Sequence, residues 1–165
     1  MLIAVTGSNG FIGSALCNEL KKCEFPIRPL VRSVNDSNLE AFSVGNIDSK
    51  TNWSIALENV DCVIHCAALT HVKDKQAIDS LEAYREVNVV GTCRLAEQAA
   101  AMGVKRLVFL SSVKVNGEQT ILDTPFLPCD IAAPEDFYGI SKFEAEKSLL
   151  EISSKTNLEV VIVRL

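Results

Sequence analysis

Short apolar runs alternate with amphipathic stretches along the whole chain. The runs at residues 2–6, 27–31, 41–44, 61–65, 106–110 and 158–163 predict six strands, the third of them brief. Between them, residues 11–23 predict a helix with Ile12, Ala15, Leu16 and Leu20 on one face. Residues 53–57 predict a short helix. Residues 76–102 predict a helical region with a break near 88–91, and residues 137–153 a further helix. Continuously apolar strands that alternate with helices predict a parallel sheet covered on both faces. Right-handed crossovers then give an α/β, doubly wound parallel sheet of the Rossmann type. Pro29 falls inside the second strand, which is tolerable if its missing N–H faces the very short third strand.

Two stretches depart from this rhythm. Residues 111–136 lack periodicity and carry Pro125, Pro128 and Pro134, and loops of that length in a compact domain are usually functional. The sequence also stops at Arg164-Leu165, directly after a buried-type strand. The expectation is one Rossmann-type domain over residues 1–165, the amino-terminal piece of a longer protein.

Composition narrows the function. A chain of 165 residues, 48% hydrophobic and 22% charged, suits a single globular domain. Its net charge of −5 and lack of a basic block argue against nucleic acid as a partner. No apolar run approaches the ~20 residues that cross a bilayer, so no membrane partner is expected. Met1 leads straight into Leu2-Ile3-Ala4-Val5 without a basic leader, which predicts a cytoplasmic protein. The six cysteines form no C-x-x-C pair and are expected reduced. Cys62 and Cys66 share one face of a strand, but a second ligand pair at zinc spacing is missing and no metal is expected.

The first candidate for chemistry is Gly7-Ser8-Asn9-Gly10-Phe11-Ile12-Gly13, between the first strand and the first helix. Gly7 permits the tight turn, Gly10 lets backbone approach a pyrophosphate, and Gly13 lets the helix pack closely. The helix N-terminus offers free N–H groups to the phosphates. A ribose 2′-hydroxyl usually meets an acidic residue at the end of the second strand. Here that place holds Arg32, which would pair with a 2′-phosphate and tilts the cofactor, NAD or NADP, toward NADP; Asp36 lies a few residues late.

The second candidate is Tyr138 and Lys142, four residues apart on one helix face, with Ser111-Ser112 at the end of an apolar strand. An ammonium nearby would lower the pKa of a tyrosine from its ordinary ~10 and let the phenol move a proton. A serine hydroxyl could hold the reacting group. By contrast, His65 reads as a satisfied interior histidine, His71 as a loop residue near the cofactor, and Trp53 as packing. Glu144, Glu146 and Glu151 read as a solvated helix face with weak pairing to Lys147.

Spaced glycines, His65-Cys66-Ala67-Ala68, Val87-Asn88-Val89-Val90-Gly91-Thr92, Ser111-Ser112 and Tyr138-x-x-x-Lys142 occur in this order. Together they resemble the extended short-chain dehydrogenase/reductases, in the NAD-dependent epimerase/dehydratase branch. The segments at 109–118 and 137–146 are similar to those of a bacterial surface-polysaccharide group of UDP-glucose 4-epimerases and of 4-ketoreductases making UDP-N-acetylquinovosamine. The resemblance implies Tyr138 as acid/base, Lys142 on the nicotinamide ribose, and Ser112 rather than Ser111 on the sugar C4 oxygen. It puts Phe11 and Ile12 on the pyrophosphate, and Cys66, Ala67, Ala68 and Thr70 on the ribose and nicotinamide side. It makes Asn88 a brace behind the fourth strand. Many relatives have an aspartate near the adenine; Gly45-Asn46-Ile47 replaces it with an amide.

The same resemblance implies a UDP-hexose substrate, bound largely by a carboxy-terminal region, and a homodimer through the helices at 76–102 and 138–153. Nucleotide-sugar dehydratases carry an acidic pair beside the catalytic hydroxyl. Val113 and Lys114 stand there instead, leaving epimerase or NADPH-dependent 4-reductase chemistry at C4. The chain alone is expected to bind dinucleotide weakly and to turn over no sugar. A reading of another class is a non-catalytic dinucleotide sensor or interaction module.

Overall fold

The computed structural model describes residues 1–34, 40–70, 80–120 and 122–165. Asp36, His71 and the predicted helical start at 76–79 lie outside the described residues. The strands are β1 (Ile3–Thr6), β2 (Ile27–Val31), β3 (Phe42–Ser43), β4 (Cys62–His65), β5 (Arg106–Ser111) and β6 (Glu159–Arg164). The helices are α1 (Phe11–Lys22), α2 (Leu81–Arg85), α3 (Gly91–Ala101) and α4 (Phe137–Lys155). All strands are parallel in the order β3-β2-β1-β4-β5-β6. The chain direction reverses its march at β1, so a crevice opens beyond the carboxyl ends of β1 and β4.

Alternation along each strand divides the core in two. Ala4, Val63, Leu107 and Phe109 face a large cluster with Trp53, Leu57, Leu95, Ala99, Ala145 and Leu149. Ile3, Val5 and Cys62 face a smaller cluster with Cys17. Helices α3 and α4 cover the first face and α1 covers the second, the two-sided burial that continuously apolar strands require. Leu30 O accepts from Ser8 N and Val31 O accepts from Val44 N, so Pro29 turns its donor-less nitrogen toward β3. β3 begins only beside Leu30, and no ladder bond is lost.

Three local expectations are corrected. The buried side of α1 is Gly13, Leu16, Cys17 and Leu20, while Ile12 and Ala15 are exposed. Gly13 must turn inward because the helix start rests on the Gly7 backbone. Residues 53–57 form turns rather than a helix: Leu57 N donates to Trp53 O, and Asn59 at φ 58° ends the winding. Their apolar side chains still fill the core. The expected break near 88–91 is instead a π-helical turn, Glu86–Val90, that joins α2 to α3 without interruption.

Candidate active site

The glycine turn is built by backbone sterics. Gly7 has φ 62°, and a Cβ there would lie 2.9 Å from Ala67 N. A Cβ on Gly13 would lie 2.1 Å from Gly7 O. Both approaches draw β1, the head of α1 and the residues after β4 together. Gly10 caps α1 without a side-chain acceptor, and no acidic residue stands in the first turn. The first amides of the helix therefore remain available to an anion. Beside them lies a crevice of about 730 Å³. It gathers Gly7, Gly10, Phe11, Ile12 and Gly13 from the turn, Arg32 after β2, Asn46 and Ile47 after β3, and Cys66, Ala67, Ala68 and Thr70 after β4. Its volume, glycine floor and open amides fit a dinucleotide pyrophosphate. Thr6, Asn9, Val31, Ser33, Val44 and Val87 line it too, and nothing in their spacing singled them out.

The segment after β4 is fixed by two buried side chains. Thr6 Oγ1 accepts from Ala67 N at 3.1 Å. Asn88 Oδ1 accepts from Leu69 N at 2.8 Å, and its Nδ2 donates to Leu69 O at 2.9 Å and Ser141 Oγ at 3.0 Å. Asn88 thus spends its amide on the protein: it ties the crevice wall to α4 and does not itself line the crevice. His65 is buried between Thr6 Oγ1 (2.7 Å) and Thr92 Oγ1 (3.0 Å). Burial, with Lys142 nearby, pushes its pKa down to about 3, so it stays neutral and structural. Burial, with the neighbouring Cys17, raises the Cys66 thiol to about 11. Among the described residues no group of three or more potential metal ligands exists.

Ser112 and Tyr138 come together where β5 ends against α4, with Lys142 one turn further along the helix. The Ser112 hydroxyl is close enough to the Tyr138 phenol to favour its ionised form. Ser111 turns the other way and donates to Glu146 Oε1 at 2.5 Å. Lys142 is 1% exposed, with Nζ 3.8 Å from the centre of the Phe109 ring. Burial lowers its pKa to about 7, against an opposing pull from Glu146. The sequence made Lys142 the ammonium that tunes Tyr138; here its Nζ is directed at the Phe109 ring. Tyr138 is raised above its ordinary value by burial and then by Asp136, while the Ser112 hydroxyl and Lys114 pull it down. Tyr138 turns toward Ser112, whereas the long lysine stem runs inward to the sheet.

The acidic face of α4 is also corrected. Glu146 is buried and holds Arg164 with two bonds, Nε at 2.9 Å and Nη2 at 2.6 Å. Arg164 Nη1 also donates to Asn116 Oδ1 at 3.2 Å. Glu144 binds Arg85 through two bonds of 2.8 and 2.6 Å, and Glu151 pairs with Lys155. Lys147 sits over the Phe143 ring at 5.1 Å rather than beside a carboxylate. A lone arginine closing an apolar strand was the available signal for the Glu146 partner.

A glycine turn with open amides, a crevice at the sheet's reversal point and a serine–tyrosine pair beside it converge with what sequence comparison finds. The NAD dependent epimerase/dehydratase family model matches residues 3–165. The chain belongs to that family. A UDP-glucose 4-epimerase of Vibrio cholerae is 46% identical over 164 residues, 98% of this chain and 50% of that protein. A short-chain dehydrogenase/reductase superfamily protein from Agrobacterium tumefaciens, solved with bound NAD, matches with TM-score 0.85 and 29% identity. That match covers 99% of this chain and 48% of the other. MoeE5, solved with UDP-glucose and NAD, matches with TM-score 0.84 and 30% identity over 99% of this chain and 54% of its own. The chain therefore spans about half the length of the relatives it matches. No helix among the described residues is long and apolar enough to cross a membrane.

Proposed function

We propose that this chain is the dinucleotide-binding, proton-carrying half of a nucleotide-sugar 4-epimerase acting on a UDP-hexose. The observation that carries this reading is the placing of Ser112 beside Tyr138 at the carboxyl edge of the same sheet whose glycine turn opens the crevice. When bound, NAD would supply hydride acceptance and return at sugar C4. Ser112 would hold the C4 oxygen, and Tyr138 would take and restore its proton. Lys142, buried on Phe109, would reach the ribose from beneath, and Asn88 would keep the wall after β4 in register with α4. The amides of Phe11, Ile12 and Gly13 would face the pyrophosphate, and the Asn46 amide would accept from the adenine. Copies of the chain would pair through α3 and α4, along which runs an open groove of about 710 Å³.

NAD is the first choice of cofactor because it is the dinucleotide in the similar structures. A second reading, an NADPH-dependent 4-reductase, is favoured by one observation: Arg32 is exposed and lines the crevice where a 2′-phosphate would lie. Calorimetric titration with NADH and NADPH side by side separates the two. Preference for NADPH that disappears in Arg32→Ala selects the reductase, and preference for NADH selects the epimerase. In the full-length protein Tyr138→Phe is expected to abolish interconversion of UDP-glucose and UDP-galactose. Full turnover in that variant would remove Tyr138 from the chemistry and favour a non-catalytic dinucleotide sensor.

A further inference from the structure

Lys114 follows Ser112 by two residues, in the middle of a single 3₁₀ turn, Val113–Val115. Its backbone N donates to Ser112 Oγ at 3.3 Å. Its Nζ lies 2.5 Å from Asp136 Oδ2 and 2.9 Å from Glu118 Oε1. Asp136 is the N-cap of α4, and its other oxygen accepts from Gly139 N at 2.6 Å. Tyr138 thus sits in the first turn of a helix whose cap is ion-paired to the residue that anchors its serine partner. One carboxylate does both jobs, with one oxygen on each.

We propose that the Lys114–Asp136 ion pair is the positioning device of the site, locking the turn that carries Ser112 to the first turn of the helix that carries Tyr138. The inference rests on the reading of Tyr138 as proton carrier. Among the described residues the charged groups that bear on Tyr138 are Asp136, which holds its proton on, and Lys114, which loosens it. Glu118 faces Lys114 rather than the phenol, and Lys142, one turn along the helix, is directed at Phe109. Lys114 itself is held well above the usual lysine range by the two carboxylates, so it stays charged wherever the phenol titrates. Lys114 and Asp136 touch no reacting atom; they act through Ser112 and Tyr138.

The sequence contains two tyrosines, so a Tyr84→Phe background leaves Tyr138 as the sole phenol. Phenolate absorbance after a rapid pH jump then reads its titration without any turnover. Lys114→Met unmasks Asp136 and is expected to move the midpoint up. Asp136→Asn keeps a cap acceptor, since asparagine caps as well as aspartate, and removes the charge, so it is expected to move the midpoint down. Lys114→Arg restores the original midpoint. A purely structural pair would move both variants the same way or neither, and either result overturns the proposal. If Lys114→Met fails to fold, Asp136→Asn decides alone: a downward shift supports the device, and an unmoved or raised midpoint sinks it. Full turnover by Tyr138→Phe in the full-length protein would sink the proton-carrier reading instead, whatever the titrations give.

Discussion

The glycine turn between β1 and α1 and the junction between β5 and α4 stand at the same carboxyl edge, two strands apart in the sheet. They are built by different means. The turn is held by backbone contacts over a few residues: a positive φ at Gly7 and an approach at Gly13 that leaves no room for a methyl group. The junction is held by side chains brought from far apart, Ser111 to Glu146 across 35 positions and Arg164 to Asn116 across 48. A local steric demand restricts residue type at a fixed spacing and leaves a pattern. A buried charge network only requires that its members meet after folding, and no spacing records it.

The largest expected effect falls on the junction. Glu146→Ala would leave Arg164, one fifth exposed, without its buried partner. Losing one member of a buried pair costs about 3–5 kcal/mol. Urea unfolding of the variant is expected to show a loss of that size. A change within experimental error would mean that Arg164 reaches water when released, and the contrast between the two regions would weaken.

How much of each region was legible follows from this difference. The strands, the parallel sheet and the crevice residues Gly7, Gly10 and Gly13 could be read because apolar runs and glycine spacing are local; Ala67 came only through the family resemblance. Pro29 was placed correctly because a missing donor tolerates only an outward-facing position at a short neighbour. The inward turn of α1 was misread by about one residue because Gly13, which carries no hydrophobic signal, fixes the helix rotation. Residues 53–57 were misread as helix because burial of Trp53 and Leu57 looks the same in a turn. Glu146 was taken for a solvated residue because its partner lies beyond the end of its helix, on β6. Lys142 was paired with Tyr138 by helical spacing, whereas the Lys114–Asp136 ion pair joins a separate turn to the cap of α4 and no period records it.

The next effect tests the turn. Gly13→Ala would drive a Cβ onto a carbonyl oxygen that belongs to backbone and cannot rotate away. Overpacking of this kind costs about 1–3 kcal/mol, here concentrated where the pyrophosphate would lie. Fluorescence titration with NADH should show weakened binding, by roughly tenfold for each 1.4 kcal/mol expressed at the site. Glu146→Ala should affect chain stability more than dinucleotide affinity. If both variants lost stability and affinity in the same proportion, the two regions would be one cooperative unit rather than two separately built ones.

The smallest effect is a gain, and it sharpens the contrast from the opposite side. Lys142→Met keeps most of the volume on Phe109 and removes a charge that burial disfavours. Replacing a buried charge with an apolar side chain is expected to stabilise the chain by about 1–2 kcal/mol near neutral pH. The sign of the pH dependence follows from linkage. Lys142 ordinarily titrates at 10.5 and in the folded chain near 7, so between these values the unfolded chain binds more protons. The destabilisation by Lys142 is therefore full below about pH 7 and fades as pH rises toward 10.5. Urea midpoints of wild type and Lys142→Met should differ most at pH 6 and converge toward pH 10. A gap that widened with pH would mean that Lys142 contributes stability through its contacts rather than costing it through its charge.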